Sequence, residues 1–285
     1  MPEPIITLDK VSWRYARSAN RALNNISMNI NEGNFVAVMG ENGSGKTTFC
    51  RLLNGLIPHA LAGKLSGSVT VDGIQTASSA LPQLAGKVGM AFDDPETQLF
   101  TATVHDEVAF ALENLLLSPR EIREKVLWAL NAAGLGAYAD YEPSALSGGQ
   151  KQRLAIAAAL AMAGKVLVLD EPCSQLDPAG AREVLSLIMN LRSQQALTVV
   201  MATGSGDEAA DFADTIAVLK NGNLVACDTP RRIFAEGNLP ADDSIQCPQV
   251  SELARCMASL GEPLPQFPVN LDEAEKSVVE WYNSK

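Results

Sequence analysis

The sequence predicts an α/β fold built on a parallel sheet, and three stretches predict it. In FVAVMGENGSGKTTF an apolar strand, Phe35–Met39, runs into a glycine-rich loop and then a helix. KVLVLDEP ends a second apolar run, Val166 to Leu169, in Asp170-Glu171, and that run has no alternation, as in a parallel strand buried on both faces. LTVVMATGSGDEAADFAD gives a third strand, Leu197 to Met201, then a short turn and an acidic helix. Sheets of this kind bind ligands at the carboxyl ends of their strands. The loops that follow these runs are therefore where function should be sought.

Composition bounds the alternatives. Of the 285 residues 47% are apolar, and the mean hydropathy of +0.05 is that of a globular chain with a core of its own. No apolar stretch approaches the roughly 20 residues of a membrane helix. The opening MPEPIITLDK carries an early acid and no apolar core, so it does not read as a secretory signal. A net charge of −11 disfavours nonspecific association with nucleic acid or anionic lipid, leaving room only for a local basic patch. The five cysteines form no CxxC pair and there are only two histidines, so a zinc site is not expected, and scattered thiols fit a reducing compartment.

Taken in order, the first loop is the strongest signal. Gly40, Glu41, Asn42, Gly43, Ser44, Gly45, Lys46 and Thr47 match G-x-x-x-x-G-K-S/T, and Thr48 to Leu56 reads as the helix that follows. Glycines let backbone N–H groups curl round a phosphate, the helix N-terminus adds positive dipole, the lysine reaches β/γ oxygens and the hydroxyl reaches Mg2+. Next, in LSGGQKQRLAIAAALAMA, Ser147 and Gln150 make a capping box at the head of an alanine-rich helix. Gly148 and Gly149 leave N–H groups uncovered there, suiting an anion, although an ordinary capped helix reads the same way. Asp170 is placed to hold Mg2+ through water, and Glu171 to act as a general base toward an attacking water. After Phe234, AEGNLPADDSIQCPQ is loop-like. A short helix ending at Gly261 follows, and then a final helix capped by Asn270 or Asp272. The chain divides on this reading into a domain at 1–236 and a small helical extension at 237–285.

GENGSGKT, LSGGQ and LVLDEP in this order and spacing resemble the ATP-binding subunits of ABC transporters, and the resemblance covers nearly the whole chain. It implies a RecA-like P-loop core, an antiparallel β portion near the N-terminus, and a helical subdomain inserted at about 98–160. It implies ATP and Mg2+ as ligands and a head-to-tail dimer, in which ATP lies between one subunit's phosphate loop, through Thr48, and the other's Ser147, Gly148, Gly149 and Gln150. Tyr15 in VSWRYARSANRAL matches the aromatic that stacks on adenine, a packed strand aromatic being the alternative. Ser174-Gln175-Leu176-Asp177 matches the loop that crosses the dimer interface. QLFTATVHDEVAFALENLLLSPREIREKV and the tail are similar to energy-coupling-factor and cobalt-type importers. Those combine two ATPase subunits with a transmembrane coupling protein and a substrate-binding membrane protein, on the cytoplasmic face of the membrane, and take up vitamins or transition metal ions.

Two positions depart from that pattern. Where the family carries a glutamine that touches Mg2+ and the attacking water, this chain has Asp93; Gln98 matches a separate subgroup glutamine. Where the family carries a histidine on the γ-phosphate, this chain has Gly204. Aspartate is shorter, charged and an acceptor only, and glycine supplies nothing. The expectation is a hydrolysis-impaired half of a pair of unlike ATPases, donating its LSGGQ to the partner's site. The alternatives are a fully active homodimer, with Asp93 and Ser205 substituting, and a non-transport ABC ATPase. A left-handed φ at Gly204, in which histidine would be strained, is a further expectation.

Overall fold

The computed structural model describes residues 3–115, 117–235 and 245–284. The chain opens with β1 (Ile6–Tyr15) and β2 (Leu23–Ile30), crosses into β3 (Phe35–Met39), and returns with β4 (Gly63–Val71) and β5 (Ile74–Gln75). Strands β2, β1, β4 and β5 lie in that order as an antiparallel sheet. Its alternation is plain in β2, where Leu23, Ile26, Met28 and Ile30 are buried while Asn25, Ser27 and Asn29 face water.

Then β6 (Val88–Ala91), β7 (Val166–Asp170), β8 (Thr198–Thr203), β9 (Thr215–Lys220) and β10 (Asn223–Asp228) join β3 in a second sheet of order β10-β9-β3-β8-β7-β6. It is parallel except for the antiparallel edge pair β9 and β10. Every residue of β3, β6, β7 and β8 is buried, because layers cover both faces. One layer is the antiparallel sheet with α1 (Lys46–Leu53), whose Phe49, Leu52 and Leu53 enter the shared core.

The inserted helices are α2 (Val104–Asn114), α3 (Pro119–Ala132) and α4 (Gly148–Met162). Val108, Leu112, Val126, Leu130 and Leu154 give them a core of their own. The opposite layer is α4 with α5 (Pro178–Gln195): Ile156 and Leu160 meet Val184, Leu185 and Ile188 over Leu167 and Leu169. Beyond β8 come α6 (Gly206–Phe212), α7 (Pro230–Phe234), α8 (Gln249–Ser259) and α9 (Leu271–Asn283). This is the α/β class the sequence predicts.

Two boundaries differ from expectation. Helix α1 ends at Leu53 rather than Leu56, since Asn54 Oδ1 accepts from Leu56 N at 3.0 Å and Gly55 turns left-handed at φ 80°. Strand β8 runs on to Thr203 because it pairs with β3 as far as Met39. Of the two caps proposed for the last helix, Asn270 is the one, its Oδ1 accepting from Glu273 N at 3.0 Å. The expected boundary at 236/237 lies outside the described residues. Helix α8 is tied to α6, because Asp207 Oδ1 accepts from Gln249 N at 3.0 Å, and Arg255 Nη2 donates to the Phe234 carbonyl at 2.8 Å. Among the described residues no helix is long and apolar enough to cross a membrane.

Candidate functional site

The loop after β3 is shaped by two glycines that no other residue could replace without displacing backbone. Gly40 sits at φ 152°, and a Cβ there would run into the Leu219 carbonyl oxygen; at Gly45, φ 114°, it would come within 2.7 Å of the Ala22 carbonyl oxygen. The turn delivers Lys46 as the first residue of α1, with no side chain capping that helix. Its first N–H groups are therefore left for an outside acceptor. Lys46, only 5% exposed, donates from Nζ to the carbonyls of Gly40 (2.8 Å) and Glu41 (3.2 Å) and pairs with Glu171 Oε1 at 3.1 Å. A buried ammonium needs such partners. Here each is within reach of the same mouth.

Asp170 ends β7 fully buried. Its Oδ1 accepts from Thr47 Oγ1 at 3.1 Å, while its Oδ2 is buried without a partner. Burial pushes this carboxyl up to about 6, opposed by the Thr47 hydrogen bond and the Arg51 charge and aided by the charges of Asp93 and Glu171. An orphaned, desolvated carboxylate oxygen beside a hydroxyl is what a hard cation would satisfy, and this donor set fits Mg2+, which takes few protein ligands and completes its shell with water and phosphate oxygens. Among the described residues no group of three or more His, Cys, Asp or Glu could cage a metal unaided. Glu171 stands at φ 48°, a left-handed backbone that a non-glycine residue holds at a cost of order 1–2 kcal/mol. Its N–H donates to the Ala202 carbonyl at 3.0 Å, which pins it there.

A cavity of about 290 Å³ lies over these groups, lined by Tyr15, Asn42, Gly43, Gly45, Lys46, Thr47, Thr48 and Glu171 among the candidates from sequence, with Ala22 in addition. Tyr15 hydrogen-bonds through its hydroxyl to Thr48 Oγ1 at 3.0 Å. Trp13, the fully buried aromatic, meets it edge to face at 5.6 Å. Gly40, Glu41 and Ser44 are not part of the cavity wall. Asp93 stays off the lining and reaches the site through its charge on Asp170.

Ser147, Gly148, Gly149 and Gln150 do not line that cavity. They head α4 on a separate surface, where the capping box is complete: Gln150 N donates to Ser147 Oγ at 3.3 Å and Ser147 N to Gln150 Oε1 at 2.9 Å. Beside Gly148 and Gly149 there is open space. The candidates thus fall in two places on the chain.

The loop after β8 contributes no side chain to the mouth. Gly204 is not among the left-handed glycines, and the place its Cβ would occupy is open. The expected strain at that position is therefore absent. Ser205 is engaged as the cap of α6, accepting from Glu208 N at 3.3 Å. Thr203 Oγ1 accepts from Ser205 N (3.0 Å) and donates to Glu208 Oε2 (2.6 Å). Sequence reasoning passed over Glu208, although the spacing Ser205-x-x-Glu208 is a capping signal. Burial raises its carboxyl above the ordinary range, and the charge of Glu171 raises it further. Gln98 Oε1 accepts from Phe92 N at 3.2 Å.

A family profile described as ABC transporter matches residues 23–174. The energy-coupling factor transporter ATP-binding protein of Symbiobacterium thermophilum is 38% identical over 292 aligned positions, covering 99% of each chain. Its namesake in Latilactobacillus sakei is 39% identical, with 92% of this chain and 91% of that one covered. Among solved structures, cbiO1 of Clostridium perfringens, described as part of the ABC transporter complex cbiONQ, superposes with a TM-score of 0.74 at 33% identity, over 83% of this chain and 93% of that one.

Proposed function

The chain belongs to the ABC transporter family, as an ATP-binding subunit of the energy-coupling-factor kind, and on that premise we propose that it is the hydrolysis-impaired half of a pair of unlike ATPase subunits. The observation that carries the reading is the pairing of a chemically complete phosphate cradle with the side-chain-free Gly204 loop on the neighbouring strand.

In the cavity over α1, ATP has its adenine against Tyr15 and its phosphates in the ring of N–H groups from Gly40 to Thr48. Lys46 exchanges Glu171 for the β/γ oxygens and keeps its carbonyl partners. Thr47 and Asp170 would hold Mg2+, which when bound offsets the charge on the β and γ phosphates. Glu171, freed of Lys46, is the group that can take a proton from water. Among the described residues the Gly204 loop offers no side chain to the γ-phosphate, and Asp93 places another negative charge near the triphosphate. The loss of one such preorganised contact costs about 10²–10³ in rate.

The second site is made by the partner's phosphate loop and this chain's Ser147, Gly148, Gly149 and Gln150. It does the work that drives import through a transmembrane coupling protein and a substrate-binding membrane protein, with both ATPases peripheral on the cytoplasmic face. The test is the purified chain alone. Mg-ATP should raise its melting temperature, as a ligand selective for the folded state must, with no appreciable phosphate release. Release at ordinary transporter rates would identify instead a fully active homodimer.

A further inference from the structure

A second cavity, of about 310 Å³, opens on the antiparallel sheet, lined by Ser12, Arg14, Arg21, Lys64 and Ser66 together with Trp13 and Ala19. Strand β1 carries Ser12, Trp13 and Arg14 into its wall just after a register shift between Asp9 and Ser12. The register of β1 with β4 sets Arg14 directly opposite Lys64 and Ser12 opposite Ser66. Like charges directly opposed across a sheet are destabilising, and no carboxylate lines this cavity to relieve them.

Among the described residues several cations elsewhere on the chain are paired, and others are not. Lys46, Lys87, Lys151, Lys165, Arg192 and Arg231 each hold a carboxylate. Among the described residues Arg14 and Lys64 make no ion pair, and Arg21 gives Nη1 only to the neutral Asn24 Oδ1, at 2.7 Å. With 33 acidic residues against 22 basic ones, partners are not scarce. What sets this cavity apart is that three cations share its wall with no carboxylate among them, an arrangement suited to an anion from outside.

We infer that this cavity is a separate anion site, taking a phosphate group carried by a small molecule or by a lipid headgroup. A guanidinium fork matches two phosphate oxygens, the ammonium adds a point charge, and Ser66 offers a hydroxyl. Arg21 lines this cavity while the next residue, Ala22, lines the cavity over α1. The two sites thus stand on either side of one hairpin.

The experiment uses the full chain saturated with Mg-ATP, so that the phosphate loop is occupied throughout. Inorganic phosphate at about 100 times its Kd should raise the melting temperature by several degrees over sodium chloride of equal ionic strength. Arg14→Gln and Lys64→Gln should each melt no lower than the parent without phosphate, because the opposed charges are gone, and should lose most of the phosphate response. Arg14→Lys should keep part of it. In a parallel arm, flotation with phosphatidylglycerol but not phosphatidylcholine vesicles, lost in both glutamine variants, would identify a headgroup as the source. No response of the parent to either probe, or a full response in both variants, overturns the proposal.

Discussion

Strands β3 and β8 are neighbours, paired in register from Phe35 with Val199 to Met39 with Thr203, so the loops that follow them leave the sheet at one level. The first loop carries left-handed glycines at 40, 43 and 45, a buried lysine held by two carbonyls and a carboxylate, and an uncapped helix N-terminus. The second carries Gly204 beside open space and a serine already spent on its own helix. The topology brings both loops out of the sheet side by side, but topology does not supply donors. One loop can be chemically complete while its neighbour is empty, with no disturbance of the sheet between them.

The largest test of that contrast lies away from both loops. Ser147→Arg or Gly149→Asp places bulk or negative charge at the head of α4, where the space is open and the partner's γ-phosphate is expected. ATP hydrolysis and transport by the reconstituted complex should fall nearly to nothing, although this chain's own cavity is untouched. Retained activity in both variants would remove the trans site from the mechanism.

The complete loop has a cost that can be measured next. Asp170, raised to about 6 from an ordinary 3.8, binds its proton more tightly folded than unfolded. Its contribution to stability is present below about pH 4 and lost as pH rises through 6. Asp170→Asn keeps the acceptor for Thr47 and should stabilise the unliganded chain at pH 7.5 by about 1–3 kcal/mol, with little gain at pH 4 and with loss of the stabilisation by Mg-ATP. Melting curves at the two pH values, with and without Mg-ATP, decide it. A lower melting temperature at pH 7.5 would contradict the electrostatic reading.

What the sequence made legible and what it hid divide along physical lines. Buried parallel strands announce themselves as apolar runs, and the phosphate loop and the Ser147 capping box by fixed spacing of residues with few substitutes. One boundary was marked locally, by Asn54-Gly55, and was passed over, while two further things depend on strand pairing and left no local trace. Helix α1 stops early because the Asn54 side chain turns back on Leu56 N. Ala22 reaches the cavity because its N–H donates to the Trp13 carbonyl at 2.8 Å. Arg14 faces Lys64 only through the register of two strands some fifty residues apart in the chain. The left-handed Glu171 was hidden for another reason, since nothing in Asp-Glu-Pro marks a residue that takes an unfavourable φ.

Filling the empty loop is a smaller but more direct test. Gly204→His with Asp93→Gln restores both missing side chains, and the backbone at Gly204 is not left-handed, so the histidine enters open space without strain. ATPase activity of the assembled complex should rise severalfold as the second site begins to turn over. If the double variant folds and binds ATP with no gain, some feature other than these two residues silences the site.

The smallest expected effect is the sharpest discriminator. Glu171→Gln preserves length, burial and the φ of 48°, which glutamine bears as glutamate does, so the fold should not respond. It weakens the contact with Lys46, but that ammonium keeps the Gly40 and Glu41 carbonyls, and ATP binding should survive. What is lost is the base. On the proposed reading the γ-phosphate here lacks its second clamp, so a base has little left to accelerate, and the cost to the complex should be severalfold at most. The same change in the proposed partner, which on that reading carries the clamp, should remove a positioned base worth roughly 10²–10⁴. The comparison is made in one preparation, by transport-coupled ATPase of the two single variants. Equal damage from both would mean that the two sites turn over alike and that the empty loop is no barrier to hydrolysis.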